Sequence, residues 1–371
     1  MGISFNERKE EEGMEERVSK GKANSIAFGI RKPLAEVPHS VGNIKGNINR
    51  EVKNMNETKI NQHTLFGDMK NNVNGLVIKD TDEKEKYSVE EMKNKVILGD
   101  AFKVLKKIED EVFDMVFIDP PYFLQLPNKE LRRWTVKTVV EGVNDEWDKF
   151  SSFQEYDDFI TRLLTEVKRV MKSNATIWVI STYHSIFRIG KIMQDLGYWI
   201  LNDVIWVKTN PMPNWLGVRF TNATENLIWA VKDKKAKKYT FNKEYARKFG
   251  IGKIGANVWV LPLCWGKERL KNEEGKKLHS TQKPVELLKR VILTSTKEGD
   301  LILDPVAGTG TTGYVAKALK RDFVMIEINE KYVKGIVERF KKPLKITEEP
   351  FPKPKKVNKY LGLGGDLNEL Q

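Results

Sequence analysis

Leu301-Ile302-Leu303, Asp304-Pro305-Val306-Ala307-Gly308-Thr309-Gly310-Thr311-Thr312 and Gly313–Leu319 follow one another as an apolar run, a Gly/Thr loop and a helical stretch. A strand-turn-helix unit of this kind presents its backbone to a nucleotide-like ligand, and Gly308 and Gly310 allow a close approach because they carry no Cβ. Glu327, seventeen positions beyond Gly310, ends the next apolar run, Phe323–Ile326. A carboxylate there can accept hydrogen bonds from both hydroxyls of a ribose. The loop has no Walker Gly-Lys-Ser/Thr and its glycines do not form GxGxxG, which weakens the NTPase and dinucleotide readings.

Outward from this unit the same alternation repeats. Val96–Leu98, Met115–Ile118, Thr176–Ile180 and Trp199–Val207 read as short strands. Ala101, Val104, Leu105 and Ile108, and then Tyr156 through Met171, show the i, i+3, i+4, i+7 spacing of helices that cover a sheet. The pattern predicts an α/β domain with a mostly parallel, doubly wound sheet. Met115–Ile118 runs directly into Asp119-Pro120-Pro121-Tyr122. Two prolines fix that backbone and remove two N–H donors, so the Asp119 carboxylate and the Pro120 carbonyl face one spot as acceptors. An amino group with two hydrogens satisfies both, and Tyr122 offers an aromatic face for a planar base.

The alternation stops at Asn210-Pro211-Met212-Pro213-Asn214 and resumes at His279. Residues 231–253 carry nine Lys/Arg against Asp233 and Glu244, interleaved with Tyr239, Phe241, Tyr245 and Phe249, a mixture that suits an inserted DNA-contacting region. The chain of 371 residues is 40% hydrophobic and 31% charged, with a net charge of +13. Residues 1–86 hold 15 Lys/Arg and 14 Asp/Glu, so the excess belongs to the rest of the chain and points to a polyanionic partner. Residues 1–86 are Asn-rich and poor in aromatics, and read as a polar extension without its own core; 343–371 read as a Pro/Lys-rich tail. No apolar run is long enough for a membrane span or a signal core, and a soluble, cytoplasmic protein is expected. Cys264 is the single cysteine, and it shows no metal-ligand spacing with His39, His63 or His184, so no metal site is expected. Trp134, Trp147 and Trp178 read as core residues.

The order DPPY, basic region, His279-Ser280-Thr281-Gln282-Lys283-Pro284 and DPVAGTGTT resembles the S-adenosylmethionine-dependent DNA amino methyltransferases of the permuted β class. Ile205–Asn214 and Thr221–Ala230 extend the likeness to the branch of GANTC-methylating cell-cycle adenine enzymes, and it runs from about Val96 to Phe340. The resemblance implies a Rossmann-like class I methyltransferase divided into a DPPY half at 87–209, a target-recognition insert at 210–278 and a cofactor half at 279–342. It implies transfer of a methyl group from S-adenosylmethionine to adenine N6 in double-stranded DNA. Cytosine N4 is the alternative acceptor, a degenerate DNA-binding regulator the alternative of another class, and protein glutamine methylation a third.

By that likeness Asp119, Pro120, Pro121 and Tyr122 form the target-base site. Asp304, Ala307, Gly308, Thr309, Gly310, Thr311 and Thr312, with Thr281, Lys283 and Pro284, hold the methionine end of the cofactor. Glu327 holds its ribose and Asp100 its adenine edge. Lys208, Asn210, Arg219, Asn222, Lys234, Lys235, Lys237 and Lys238 are the expected DNA contacts. The chain departs from the family at Val306, Ala307 and Thr309, where Phe and Ser are usual, and at Phe123, where Asn is frequent; its C-terminal extension is also shorter than in the GANTC enzymes. A cognate restriction endonuclease, a monomeric or homodimeric state and association with the nucleoid complete the expectations.

Overall fold

The computed structural model describes residues 75–124, 145–214, 217–250 and 255–346, with the backbone of 131–133 and 136–140. The polar segment before residue 75, the tail beyond 346 and Trp134 lie outside the described side chains.

Strands β1 (Val77–Lys79), β2 (Lys95–Leu98), β3 (Phe113–Ile118), β6 (Met171–Ser181), β7 (Trp199–Lys208), β8 (Thr224–Val231), β9 (Val258–Leu261), β10 (Leu301–Asp304) and β11 (Asp322–Glu327) form one sheet, while β4 (Leu131–Arg133) and β5 (Val136–Val140) pair separately. The order is β1-β2-β11-β10-β3-β6-β8-β7-β9, parallel throughout except for β8, which runs antiparallel to both of its neighbours. The strands read from the sequence are all present, and the architecture is the mostly parallel α/β sheet expected.

Side chains alternate across the sheet because the strand period is two. Val116 and Ile118 of β3 enter one core, together with Val104, Leu105, Ile160, Leu163 and Ile189, and Phe113 joins it from beyond the register shift between Phe113 and Met115. Met115 and Phe117 enter the other, with Leu288, Ile292, Val315, Val333 and Ile336. Thus α1 (Val89–Met92), α2 (Ala101–Lys106), α3 (Phe153–Val170) and α4 (Ile186–Asp195) cover one face, and α6 (Val285–Ser295), α7 (Thr311–Ala318) and α8 (Glu330–Phe340) the other. The start of α3 is fixed by two reciprocal bonds around its N-cap, of the capping-box kind but reaching one residue further back. Ser152 Oγ accepts the Glu155 N–H at 3.1 Å, and Glu155 accepts the Ser151 N–H at 2.7 Å.

Two boundaries differ from the sequence reading. The segment ending at residue 86 contributes β1 to the sheet edge, a strand of three residues that is too short to show a period. Residues 210–278 were expected outside the sheet, yet they supply β8 and β9. Leu227, Trp229 and Val231 are buried there, and Trp229 stacks on Trp178 with ring centroids 5.3 Å apart. Trp178 is core, as expected. Three of the four aromatics between the lysines turn inward: Tyr239 packs edge-on against Trp229, and Tyr245 and Phe249 of α5 (Lys243–Phe249) join the core under α6, whereas Phe241 stays 43% exposed. Their apolar surface explains the placement, since burying it is favourable whatever the charge of the flanking residues.

Candidate active site

The chain leaves β10 through α7 to reach β11 on one side, and leaves β3 through α3 to reach β6 on the other. Strand order therefore reverses between β10 and β3, and the carboxyl ends of strands at such a point leave a crevice. The two loops read from the sequence both open there, because Ile302 pairs with Met115 and Leu303 with Val116. They line one cavity of about 710 Å³.

The wall that carries Asp119–Tyr122 is built on Asp148, a buried carboxylate absent from the sequence reading. Asp148 accepts the backbone N–H groups of Tyr122 at 2.6 Å, Phe123 at 2.7 Å and Leu124 at 2.9 Å. Three successive amides around one carboxylate make the loop turn sharply, and Phe123 takes φ 53° in the left-handed region. The Tyr156 hydroxyl donates to the Pro121 carbonyl at 2.9 Å. The prolines leave no competing N–H at positions 120 and 121, so the loop has a single hydrogen-bonding solution.

Both Asp119 oxygens are engaged. Oδ1 accepts the Tyr122 hydroxyl at 2.8 Å, and Oδ2 pairs with Lys283 Nζ at 2.8 Å. Burial raises the Asp119 carboxyl above its ordinary range, and Lys283 partly offsets this. Tyr122 was expected to present an open face, but it is buried, with Lys283 Nζ 5.0 Å from its ring centroid. Burial and the Asp119 charge push its phenol well up, so it stays a hydrogen-bond donor. Lys283 thus sits between the two loops; it also donates to the Thr281 carbonyl at 3.3 Å.

Gly308 and Gly310 have φ 53° and 66°. Gly308 donates its N–H to Glu327 Oε2 at 2.7 Å, and Asn329 donates to Oε1 at 2.8 Å. A Cβ on Gly310 would lie 2.8 Å from Ile336 Cγ1, so the loop packs directly on α8. Asp304 accepts the Thr312 hydroxyl at 2.6 Å, and Thr311 accepts from Arg339 at 2.9 Å. Burial lifts the carboxyls of Asp304 and Glu327 to about 7 each. Asp100 caps α2 by accepting the Phe102 N–H at 2.7 Å, and it lines the same cavity. Ala307, Thr309 and Thr281 line it as well, and Pro284 stands at the N-cap of α6.

Trp147, read as core, lies in the cavity wall and stacks on His279 at 5.3 Å. Burial and the nearby Lys283 lower the His279 imidazole to about 4, so the ring is neutral near pH 7. Among the described residues no group of three or more His, Cys, Asp and Glu is arranged to hold a metal ion, and no helix is long and apolar enough to cross a membrane.

The expected DNA contacts separate into two groups. Asn210, Arg219 and Asn222 stand at the cavity end of the sheet, between β7 and β8; Arg219 donates to the Tyr183 hydroxyl, and Asn210 accepts the Leu263 N–H at 2.8 Å. Lys208 is at that end too, but it is buried and pairs with Glu225 at 3.0 Å, so it is no surface contact. Lys234, Lys235, Lys237 and Lys238 follow the other end of β8, where Lys232 donates to the Met171 carbonyl at 2.7 Å and Asn174 accepts the Lys238 N–H at 3.4 Å. Because β8 is antiparallel, its six residues from Asn226 to Val231 carry these lysines roughly 17 Å away from the cavity edge.

A cavity at the switch point of an open sheet, walled by a proline-locked acidic loop and a glycine loop, defines the class I methyltransferase architecture. The family model N6_N4_Mtase, DNA methylase, matches residues 113–338. The chain is 52% identical over 248 residues to the Type II methyltransferase M.HinfI of Haemophilus influenzae, covering 67% of this chain and 68% of that one. It is 41% identical over 253 residues to the Type II methyltransferase M2.LlaDCHI of Lactococcus lactis subsp. cremoris, covering 68% and 91%. The solved PvuII DNA methyltransferase, described as cytosine-N4-specific, shares the fold with a TM-score of 0.52 at 18% identity, over 73% of this chain and 93% of that one. The chain belongs to the DNA methylase family and is a DNA methyltransferase of its N6/N4 amino branch, with S-adenosylmethionine as cofactor.

The residues present fit that cofactor. The volume is within the range of small-ligand sites. Both Glu327 oxygens face backbone N–H groups and keep further lone pairs for hydroxyl donors. His279 Nε2 lies 3.4 Å from where a Gly308 Cβ would project, so a larger residue would narrow the loop.

Proposed function

We propose that the chain methylates N6 of adenine in double-stranded DNA, with the GANTC type of site as its target. The observation that carries this reading is the junction of Asp119 and the Asp304–Thr312 loop in one cavity. Asp119 and the Pro120 carbonyl accept the two N–H groups of the target amine. This draws its lone pair out of conjugation with the ring and aims it across the cavity. When bound, S-adenosylmethionine supplies a methyl group already activated by its sulfonium. Thr281, Lys283, Pro284 and the 304–312 loop border the methionine end, Glu327 accepts the ribose hydroxyls and Asp100 meets the adenine edge. The adenine assignment and the GANTC site rest on the likeness of Asp119–Tyr122, Ile205–Asn214 and Thr221–Ala230 to that branch. Expression in a methylation-free host, nucleoside analysis of its DNA and mapping of the modified positions test both points. N4-methylcytosine in place of N6-methyladenine overturns the acceptor, and modification elsewhere overturns the site. A partner endonuclease cutting the same sites belongs to this proposal.

Glu327 gives the site a pH dependence. Its carboxyl is raised to about 7 by burial, and only the ionised form can accept two hydroxyl donors. Cofactor affinity should therefore rise as the pH goes from 6 to 8, by up to about tenfold per unit below 7. Glu327→Gln should weaken binding about 10- to 100-fold at pH 8, which is the range for hydrogen bonds to a charged group, and flatten the profile. Calorimetric titration at several pH values, with Asp304→Asn as control for the second raised carboxyl, separates the two groups.

The position of the lysine run yields a contrast. Replacing Lys234, Lys235, Lys237 and Lys238 by Ser should leave DNA affinity within about threefold, because they follow the far end of β8. Arg219→Ser, at the cavity end, should weaken it about tenfold at low salt. Fluorescence anisotropy with labelled duplex measures both; the reverse ranking would place DNA on the opposite edge of the sheet.

A further inference from the structure

Behind Asp119 lies a second buried carboxylate that the proposed chemistry does not use. Glu225, at the start of β8, is 7% exposed and Lys208, at the end of β7, is 8% exposed. Glu225 Oε1 pairs with Lys208 at 3.0 Å. Its Oε2 accepts the Tyr122 hydroxyl at 3.3 Å and stands 3.9 Å from Lys283 Nζ. Tyr122 and Lys283 are the same two groups that occupy the Asp119 oxygens, each at 2.8 Å. Two carboxylates and two ammonium groups thus share one buried cluster. Each of the two Asp119 partners lies nearer to Asp119; Glu225 is the second acceptor of the Tyr122 hydroxyl, and it stands at ion-pair distance from Lys283, whose other hydrogen bond goes to the Thr281 carbonyl.

An incoming amine competes with these partners for Asp119. A buried ammonium that lost its carboxylate with nothing to replace it would pay a large desolvation cost. We infer that Glu225 is a positioning residue for methyl transfer: as the target amine takes Asp119, Lys283 and the Tyr122 hydroxyl shift their hydrogen bonds onto Glu225, which Lys208 holds in place. No bond to carbon is made or broken in this exchange. Only hydrogen bonds change partner, and the cluster keeps its charge. The inference rests on the proposed role of Asp119 in gripping the amine.

The test separates the acceptor from the charge. Glu225→Gln keeps an acceptor oxygen but leaves Lys208 unpaired, so Lys283 should hold Asp119 more tightly and single-turnover methyl transfer should slow at least tenfold. The double variant Glu225→Gln/Lys208→Met keeps the oxygen and restores the balance of charge, and should recover to within about threefold of the wild type. Glu225→Leu/Lys208→Met balances the charge but has no acceptor. It removes an ion pair without leaving an unpaired charge, so it should fold, and it should stay at least tenfold slow. Calorimetric affinity for S-adenosylmethionine should remain within about twofold in all three, which a general loss of structure would not allow. A Leu/Met variant as fast as the wild type overturns the inference, as does parallel loss of cofactor affinity and rate. A wild-type chain that transfers no methyl group to DNA overturns the reading beneath it instead.

Discussion

Asp119→Asn should lower the single-turnover rate of methyl transfer by about 10²- to 10³-fold, the usual effect of losing one aligned electrostatic contact at a reacting centre. Asparagine fills the same volume and keeps one oxygen, but its amide lacks the charge that polarises an amine and pairs with Lys283. The side chain lies on the target side of the cavity, so cofactor affinity should change by no more than about threefold. Duplex affinity should persist as well, because phosphate contacts supply most of it and a carboxylate does not bind phosphate. Quench-flow measurement of methyl incorporation, together with calorimetry, reads both quantities. A variant within tenfold of the wild-type rate would remove Asp119 from the reaction.

Asp148→Ala should cost stability and activity together. The carboxylate is the acceptor for three consecutive amides, at Tyr122, Phe123 and Leu124, two of them fully buried. Each buried donor left unpaired costs about 1–3 kcal/mol, and relaxation of the loop recovers part of the sum, so a loss of about 3–5 kcal/mol is expected. For a domain of this size that is a fall in Tm of roughly 6–15 °C. The left-handed backbone at Phe123 has no other support of this kind, so the loop should unwind and transfer should fall at least 100-fold. Asp148→Asn, which can still accept through one oxygen, should lie between. Calorimetric melting and the transfer rate check both parts; a variant that melts with the wild type would mean that the prolines alone hold the loop.

What the sequence disclosed follows from how local each signal is. The strand before Asp119, the loop from Asp304 to Thr312 and the acid at Glu327 are short-range patterns, and the structure places all three around one cavity. Asp148 and Glu225 were not legible, because each acts through partners 17 to 103 residues away, and an isolated acidic residue looks like any solvated charge. Trp147 was misplaced because a tryptophan in a cavity wall and one in a core have the same local pattern. The position of the lysine run was hidden for a different reason: its density reads the same at either end of β8, and only the antiparallel direction of that strand decides which end it occupies. Lys208 closes the list, a strand-terminal lysine whose burial depends on Glu225 across the ladder.

The two-residue pairing of β10 with β3 sets a mechanical limit on this enzyme. The strands that carry the Asp304–Thr312 and Asp119–Tyr122 loops are clipped together at the inter-strand spacing of about 4.8 Å. Moving one loop away from the other would break that pairing. A single-residue slip of that pairing would turn Asp119 through the sheet to the wrong side. Lengthening a connection that carries neither of these two loops is therefore a tolerable change for this architecture, whereas adding one residue inside Met115–Ile118 is not.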